Sequence, residues 1–361
     1  MDFSLSHDQV LLQDSVKAYL DEACPLDAVR ESVAGDASVA EDISRGLLDL
    51  GVGLILIPEE HGGLGLGLLD AALVQEMLGR SVAPVEHLAT AMAIVGIAQA
   101  GTESQKSEWL PAIADGQARF AVALTEHASI REGAGVNIQG GRLNGKSLFV
   151  MGPHNASHLN VCDDQGRLYV ARTDAKGLNC NELRTIDGTR HFAEFHFDNV
   201  AAESLTAESD PGLAADLMLQ SGRLLAAADS LGAAQEMLNK AVAYAHERKQ
   251  FNRVIGSFQA VKHMCAEMAA QLEPARALIW HAAHAWDQGM DEAELMICLA
   301  KSHLSEVGTF AARTSTEVHG GMGFTDLLGL HYWFKRIGVN RQLLGGPERV
   351  REEAARLQGW V

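Results

Sequence analysis

The stretch ERKQFNRVIGSFQ, residues 247–259, sets two arginines, a lysine, two glutamines and two aromatic rings close together in an otherwise acidic chain. Arg248 offers a planar fork of donors suited to a phosphate. Gln250 and Gln259 add neutral donors, and Phe251 can screen such contacts from water. Held together, these residue types would bind an anion. They would equally serve a solvated helix end with Phe251 and Phe258 in a core, so the stretch alone leaves both readings open. A second stretch, EVHGGMGFTD at residues 317–326, carries Glu317, His319, Gly320 and Gly321. Its glycines leave backbone N–H groups open to close approach by a ligand, although a plain turn between two helices would use the same residues.

The charge balance narrows the choice of ligand. A formal net charge of -18 over 361 residues provides no general basic surface for nucleic acid or anionic lipid. A phosphate-bearing ligand must therefore be met by a few local cations, which points to a small-molecule site and away from nucleic acid and membrane partners. Cys24, Cys162, Cys180, Cys265 and Cys298 form no C-x-x-C pair and read as reduced thiols, so no metal site is expected and the expected compartment is the cytoplasm. The opening MDFSLSHDQVLLQDSVKAYL carries a capping pattern instead of a basic region with an apolar core. No run of about 18 apolar residues follows, which argues against export and membrane spanning.

Three segments must position these motifs. Ser6 with Gln9, and Ser38 with Glu41, have capping-box spacing before amphipathic runs, and Gly51 reads as a helix stop. HLATAMAIVGIAQAG is apolar on nearly every face, as a helix buried on several sides would be. Beyond these helices the period changes. FAVALTEH, RLNGKSLFVMG, SHLNVC, RLYVAR and HFAEFHFDNV are short, and the last alternates Phe195 and Phe197 with polar residues, the two-residue period of a half-buried strand. Helical periodicity then returns, with Leu224, Ala228, Leu231 and Leu238 on one face. The expected fold class is α+β, mostly α. It comprises an N-terminal helical domain (1–118), a middle antiparallel β-domain (119–207) and a C-terminal four-helix bundle (208–361).

Together the motifs resemble the acyl-CoA dehydrogenases. PEEHGGLGLGLLDAALVQEMLGR, WLPAIADGQARFAVALTE, LNGKSLFV, ERKQFNRVIGSFQAVKH and EVHGGMGFT fall in that family's order, nearly from end to end. The resemblance implies FAD as cofactor, an acyl-CoA as substrate and an electron-transfer flavoprotein as acceptor. It also implies that Arg248 and the Gly320-Gly321 turn reach across a subunit interface to the pyrophosphate of a neighbour's FAD. Thr125 and Phe149 match positions that line the flavin ring of the chain's own pocket.

The departures from the family concern the catalytic base and the chain's own phosphate turn. Family chemistry removes an α-proton from the acyl thioester with a buried carboxylate while a hydride leaves the β-carbon. A dry carboxylate has its pKa raised into the useful range. The two places where the family carries that glutamate are occupied here by Gly345 (or Leu344 with the register slipped by one) and by Gly222 before Arg223. No catalytic residue is identified at either. Glu348 lies nearby but reads as a surface residue. Asp229, further along the Arg223 helix, is an alternative base or a bundle-capping residue. After Thr125 and Glu126 the chain has HASIREGAG where the family has a Gly-Ser-Asp element that contacts phosphates. Met151 stands for a common threonine, and Glu317 for a glutamine.

This pattern of loss suggests a subunit that lends FAD contacts to a second acyl-CoA dehydrogenase-like subunit in an α2β2 assembly, acting on a steroid side-chain or other bulky acyl-CoA. Two alternatives remain at this stage. One is a self-sufficient homomeric dehydrogenase with a relocated carboxylate, and the other a flavin-free acyl-CoA-binding regulator.

Overall fold

The computed structural model describes residues 4–129, 131–205 and 212–361. Helices come first: α1 (His7–Ala23), α2 (Leu26–Val33), α3 (Ala37–Asp49), α4 (Leu68–Arg80), α5 (His87–Ala100) and α6 (Glu103–Ala114). A sheet region follows, with β1 (Phe120–Ala123), the helical turn α7 (Thr125–Ala128), β2 (Gly135–Gln139), β3 (Arg142–Met151), β4 (His158–Cys162), β5 (Leu168–Arg172), β6 (Leu178–Leu183), β7 (Phe192–Val200) and β8 (Glu203–Ser204). Helices return as α8 (Leu213–Glu247), α9 (Gln259–Asp287), α10 (Ala293–His319), α11 (Leu330–Gln342) and α12 (Pro347–Leu357). A small hairpin of β9 (Lys249–Gln250) and β10 (Arg253–Val254) separates α8 from α9. The fold is α+β and mostly α, as the patterning predicts. Among the described residues no helix is long and apolar enough to cross a membrane.

Local signals account for several element ends. The Ser6 hydroxyl accepts from the Gln9 N–H at 3.1 Å and the Gln9 side chain accepts from the Ser6 N–H at 3.0 Å, closing the expected capping box. The second box does not form. Asp36, immediately before α3, takes the capping role, and its carboxylate accepts from the Ser38 N–H at 3.0 Å and the Ser38 hydroxyl at 2.6 Å. The TEH of the first predicted strand turns instead into α7. β2, β6 and β8 carry no alternating pattern, and β6 exposes Asn179, Cys180, Asn181 and Glu182 in succession.

By backbone contacts the chain groups into two compact units. The first comprises Ser44–Ala71 and Val85–Arg223. Its sheet runs in the order β6-β7-β3-β1-β4-β5-β8, with β2 also on β3. The pairs are antiparallel except β1 with β4, which run parallel, so the sheet is not purely antiparallel as expected. The β2-β3 hairpin between β1 and β4 supplies the long connection a parallel pair requires. Phe195 and Phe197 point into a core with Leu143, Val150 and Val161.

The second unit comprises Met1–Ile43, Ala72–Pro84 and Leu224–Val361, and holds most of the C-terminal bundle. Here α4 crosses α8 backbone to backbone. A Cβ on Gly79 would lie 2.0 Å from the Asp229 carbonyl oxygen, and one on Gly232 only 1.8 Å from that of Glu76. Beside the crossing, Gln75 donates to the Asp229 carboxylate at 2.7 Å, and Arg276 joins the Glu76 carboxylate to Gln235. α10 is tied to α8 by the Ser315 hydroxyl, which donates to the Met237 carbonyl at 2.7 Å.

Candidate functional site

The Arg248 N–H extends the last turn of α8, donating to the Tyr244 carbonyl at 2.8 Å. The chain then reverses through Phe251 (φ 52°) and Asn252 (φ 60°), with Gln250 paired to Arg253 and Lys249 to Val254. Two consecutive positive φ values suit a tight hairpin but are strained for phenylalanine, and such strain marks a position held for a purpose. Phe251 is 88% exposed and meets Phe258 edge-on at 6.1 Å, while the Arg253 guanidinium covers the Phe258 ring at 3.9 Å. The core role open to Phe251 in the sequence is therefore not what the fold gives it. Arg248, Gln250 and Gln259 are also exposed. Among the described residues the Arg248 guanidinium makes no hydrogen bond or ion pair. Gln259 opens α9, whose N-cap, Phe258, offers no side-chain acceptor, so the first N–H groups of that 29-residue helix stand uncapped beside the hairpin.

The second motif closes α10. Gly320 adopts φ 59° and ψ -138°, a conformation that side chains resist, and its N–H donates to the Glu317 carbonyl. A Cβ on Gly320 or Gly321 would meet nothing within 4 Å, so the turn presents an open face. Glu317 is exposed. His319 is only 5% exposed, and its Nδ1–H donates to the Ser315 carbonyl at 2.7 Å. Burial holds its imidazole below the ordinary histidine value, so it brings no charge toward an anion at neutral pH.

The two motifs converge through Tyr244 and His319, whose rings lie 4.6 Å apart at the ends of α8 and α10. Both helices arrive carboxyl end first, which by itself repels an anion. The Arg248 guanidinium and the uncapped start of α9 offset that repulsion, while the Glu317 carboxylate opposes an anion. An unpartnered guanidinium, free helix N–H groups and an open glycine turn fit the pyrophosphate of FAD. Tyr244 was not singled out in the sequence, although its place one turn before Arg248 puts both on one helix face.

In the other unit, Thr125 and Phe149 flank one carboxylate. The Thr125 hydroxyl donates to the Leu148 carbonyl and lies 3.2 Å from Glu126. Glu126 in turn accepts from the Ser147 hydroxyl at 2.6 Å and the Leu148 N–H at 2.8 Å. Glu126 thereby pins a bulge in β3, where the register against β7 shifts between Ser147 and Val150 and Phe149 takes φ 51°. Phe149 is turned out of the sheet, 42% exposed. Met151, at the end of β3, is buried.

Neither base position regains a carboxylate. Gly222 is buried within α8, and Gly345 is buried at φ 107° directly after Leu344 at φ 59°. Glu348 is exposed at the start of α12, 3.5 Å from Arg341. Asp229 is fully buried and already satisfied: Arg336 binds it through Nε at 2.9 Å and a terminal nitrogen at 2.8 Å, and Asn340 and Gln75 each donate at 2.7 Å. A carboxylate so held is built into the packing of the bundle, which favours the structural role over the alternative base.

A family model described as acyl-CoA dehydrogenase, N-terminal domain, matches residues 6–117, and one described as acyl-CoA dehydrogenase, C-terminal domain, matches residues 213–357. Acyl-CoA dehydrogenase IpdE2 of Mycobacterium tuberculosis is 30% identical over 346 residues, spanning 94% of each chain. Among solved structures, a variant of the Tcur3481-Tcur3483 steroid ACAD superposes with a TM-score of 0.89 and 28% identity over 99% of each chain. The ChsE4-ChsE5 complex from Mycobacterium tuberculosis shares the fold, with a TM-score of 0.91 and 24% identity over 100% of each chain.

Proposed function

Because this chain belongs to the acyl-CoA dehydrogenase family, we propose that it is one of two unlike subunits of an FAD-dependent enzyme for α,β-dehydrogenation of an acyl-CoA, lending pyrophosphate contacts to its partner. The observation that carries this reading is a division within one chain. The groups suited to a neighbour's anion are intact and solvent-facing, whereas Gly222 and Gly345 stand where a base would be. Similarity to a steroid ACAD supports a bulky acyl group such as a steroid side chain. The assembly is α2β2 with one FAD per unlike pair, and an electron-transfer flavoprotein is the acceptor.

Arg248 supplies the charge-assisted contact to the pyrophosphate. Gln250 and Gln259 add donors beside it, Phe251 excludes water, and the Gly320-Gly321 turn, free of side chains, lets the anion approach the backbone closely. His319 supports the turn from beneath through Tyr244 and Ser315. When bound, the flavin accepts the hydride. The proton is taken by a carboxylate of the partner, because Gly222 and Gly345 stand at the two base positions of this chain.

The test is flavin content per chain, measured for the chain alone and with its partner. The chain alone should be colourless and turn over no acyl-CoA, and the complex should hold one FAD per unlike pair. Arg248→Ala should weaken flavin binding by the complex roughly 10- to 100-fold, the worth of about 1.5–3 kcal/mol for a charged hydrogen bond. Unchanged flavin affinity in that variant, or four flavins per tetramer, would refute the division of labour.

A further inference from the structure

The segment that replaces the family's phosphate turn brings a cation onto the ring that would meet a flavin. The Arg131 guanidinium stands over the Phe149 ring, 5.2 Å from its centroid. Its Nη1 lies 3.9 Å from the Glu126 carboxylate, is shut off from solvent, and has no hydrogen-bond partner among the described residues. A merely solvated arginine would keep its nitrogens in water, so this guanidinium is packed against the ring. Beneath it, the groups of the pocket are committed to each other. The Thr125 hydroxyl is spent on the Leu148 carbonyl, and Glu126 is spent on Ser147 and Leu148, fixing the bulge that presents Phe149.

We propose that Arg131 seals this chain's own ring pocket by occupying the face of Phe149 that a flat aromatic ligand would need, leaving a closed remnant of a flavin site. An aromatic face accepts either a cation or a stacked ring, and the cation here is tethered at high effective concentration by its own chain. The Thr125 hydroxyl, already donating to Leu148, has no free proton to reward displacement. This inference rests on the reading that Thr125 and Phe149 line the pocket. It adds a residue that sets cofactor stoichiometry: the unlike pair carries one flavin because this chain's pocket is shut, and not only because its phosphate contacts are missing.

Riboflavin, which has the flavin ring and no phosphate, tests the seal apart from any pyrophosphate contact. The full chain is titrated into riboflavin and fluorescence quenching is followed. Wild type should bind poorly. Arg131→Ala and Arg131→Gln, both at a half-exposed loop position where truncation leaves the core intact, should bind roughly tenfold more tightly, the scale of a desolvated cation–π contact. Phe149→Leu added to Arg131→Ala should abolish that gain. Wild type binding riboflavin as tightly as Arg131→Ala, or a gain that survives Phe149→Leu, would overturn the proposal. Failure of the Arg248 reading shows separately, as unchanged flavin affinity of the Arg248→Ala complex.

Discussion

Tyr244 and His319 meet ring against ring, 4.6 Å apart and 32° from parallel, and this contact helps to join the ends of α8 and α10. Arg248 follows Tyr244 by one turn and Gly320 follows His319 directly, so the pair sets the spacing between the guanidinium and the open glycine turn. Tyr244→Ala should lower stability by about 1–3 kcal/mol, combining the ring contact with lost burial. It should also loosen the flavin of the complex, although Tyr244 lies beneath the anion seat. Tyr244→Phe should preserve both. Urea denaturation and flavin release by ultrafiltration would check this, and wild-type retention in Tyr244→Ala would count against the convergence.

Acid should weaken the same end of the bundle. Burial lowers the folded-state pKa of His319, so the folded protein binds fewer protons here than the unfolded chain. The contribution is therefore complete above the unfolded value of about 6.5 and is lost as pH falls below it, with a slope of at most about 1.4 kcal/mol per pH unit for one group. Burial likewise lowers His158 and His303, with the same sign as His319, whereas the Glu86 hydrogen bond raises His191 and opposes the trend. Denaturation midpoints measured between about pH 7.5 and pH 5.5 should fall, and His319→Gln should flatten the slope. An unaltered slope in that variant would show that His319 is not the titrating group.

Local features were legible where a short-range rule governs them. The Ser6 cap, the buried α5 and the alternating Phe195 and Phe197 each declare themselves within a few residues. Asp36 displaced Ser38 as a cap because both have the right chemistry and only the helix start decides between them. β6 was invisible because its side chains are exposed and polar, and its pairing is made by β7's backbone. At the site, Arg248 and Gly320 were readable as anion-binding types, but their convergence depends on Tyr244 and His319, whose contact no spacing rule supplies. Asp229 was ambiguous for the same reason. An aspartate on an apolar helix face reads as a base or a capping group until Arg336 is placed against it.

The Asp229–Arg336 pair should behave as structure and not as chemistry. Both side chains are fully buried, with Asn340 and Gln75 completing the carboxylate's hydrogen bonds and the Ala83 carbonyl accepting from Arg336 at 2.8 Å. Removing one partner strands the other, so Asp229→Ala or Arg336→Met should each cost about 3–5 kcal/mol, and the double replacement less than the sum. In the complex, Asp229→Asn should alter stability without changing the pH–rate profile. A shifted acid limb would restore Asp229 as a candidate base.

A glutamate returned to Gly345 should not recreate a base. Gly345 sits at φ 107°, which L side chains rarely adopt, and Leu344 before it is already at φ 59°. The loop is also anchored from within. The buried Lys301 amine donates to the Asn340 carbonyl at 2.6 Å and the Arg341 carbonyl at 3.3 Å, fixing the end of α11 just before the loop begins. Any side chain at Gly345 must therefore distort a pinned backbone, at a cost of about 1–3 kcal/mol. Gly222→Glu would instead force a carboxylate into the buried interior of α8. Neither variant should gain the roughly 100- to 10,000-fold that a positioned base supplies, and both should melt below wild type. Turnover of an acyl-CoA with an artificial electron acceptor, measured on the single chain beside its melting curve, decides the point. A gain of about 100-fold in either variant would mean that the missing carboxylate was the only deficit.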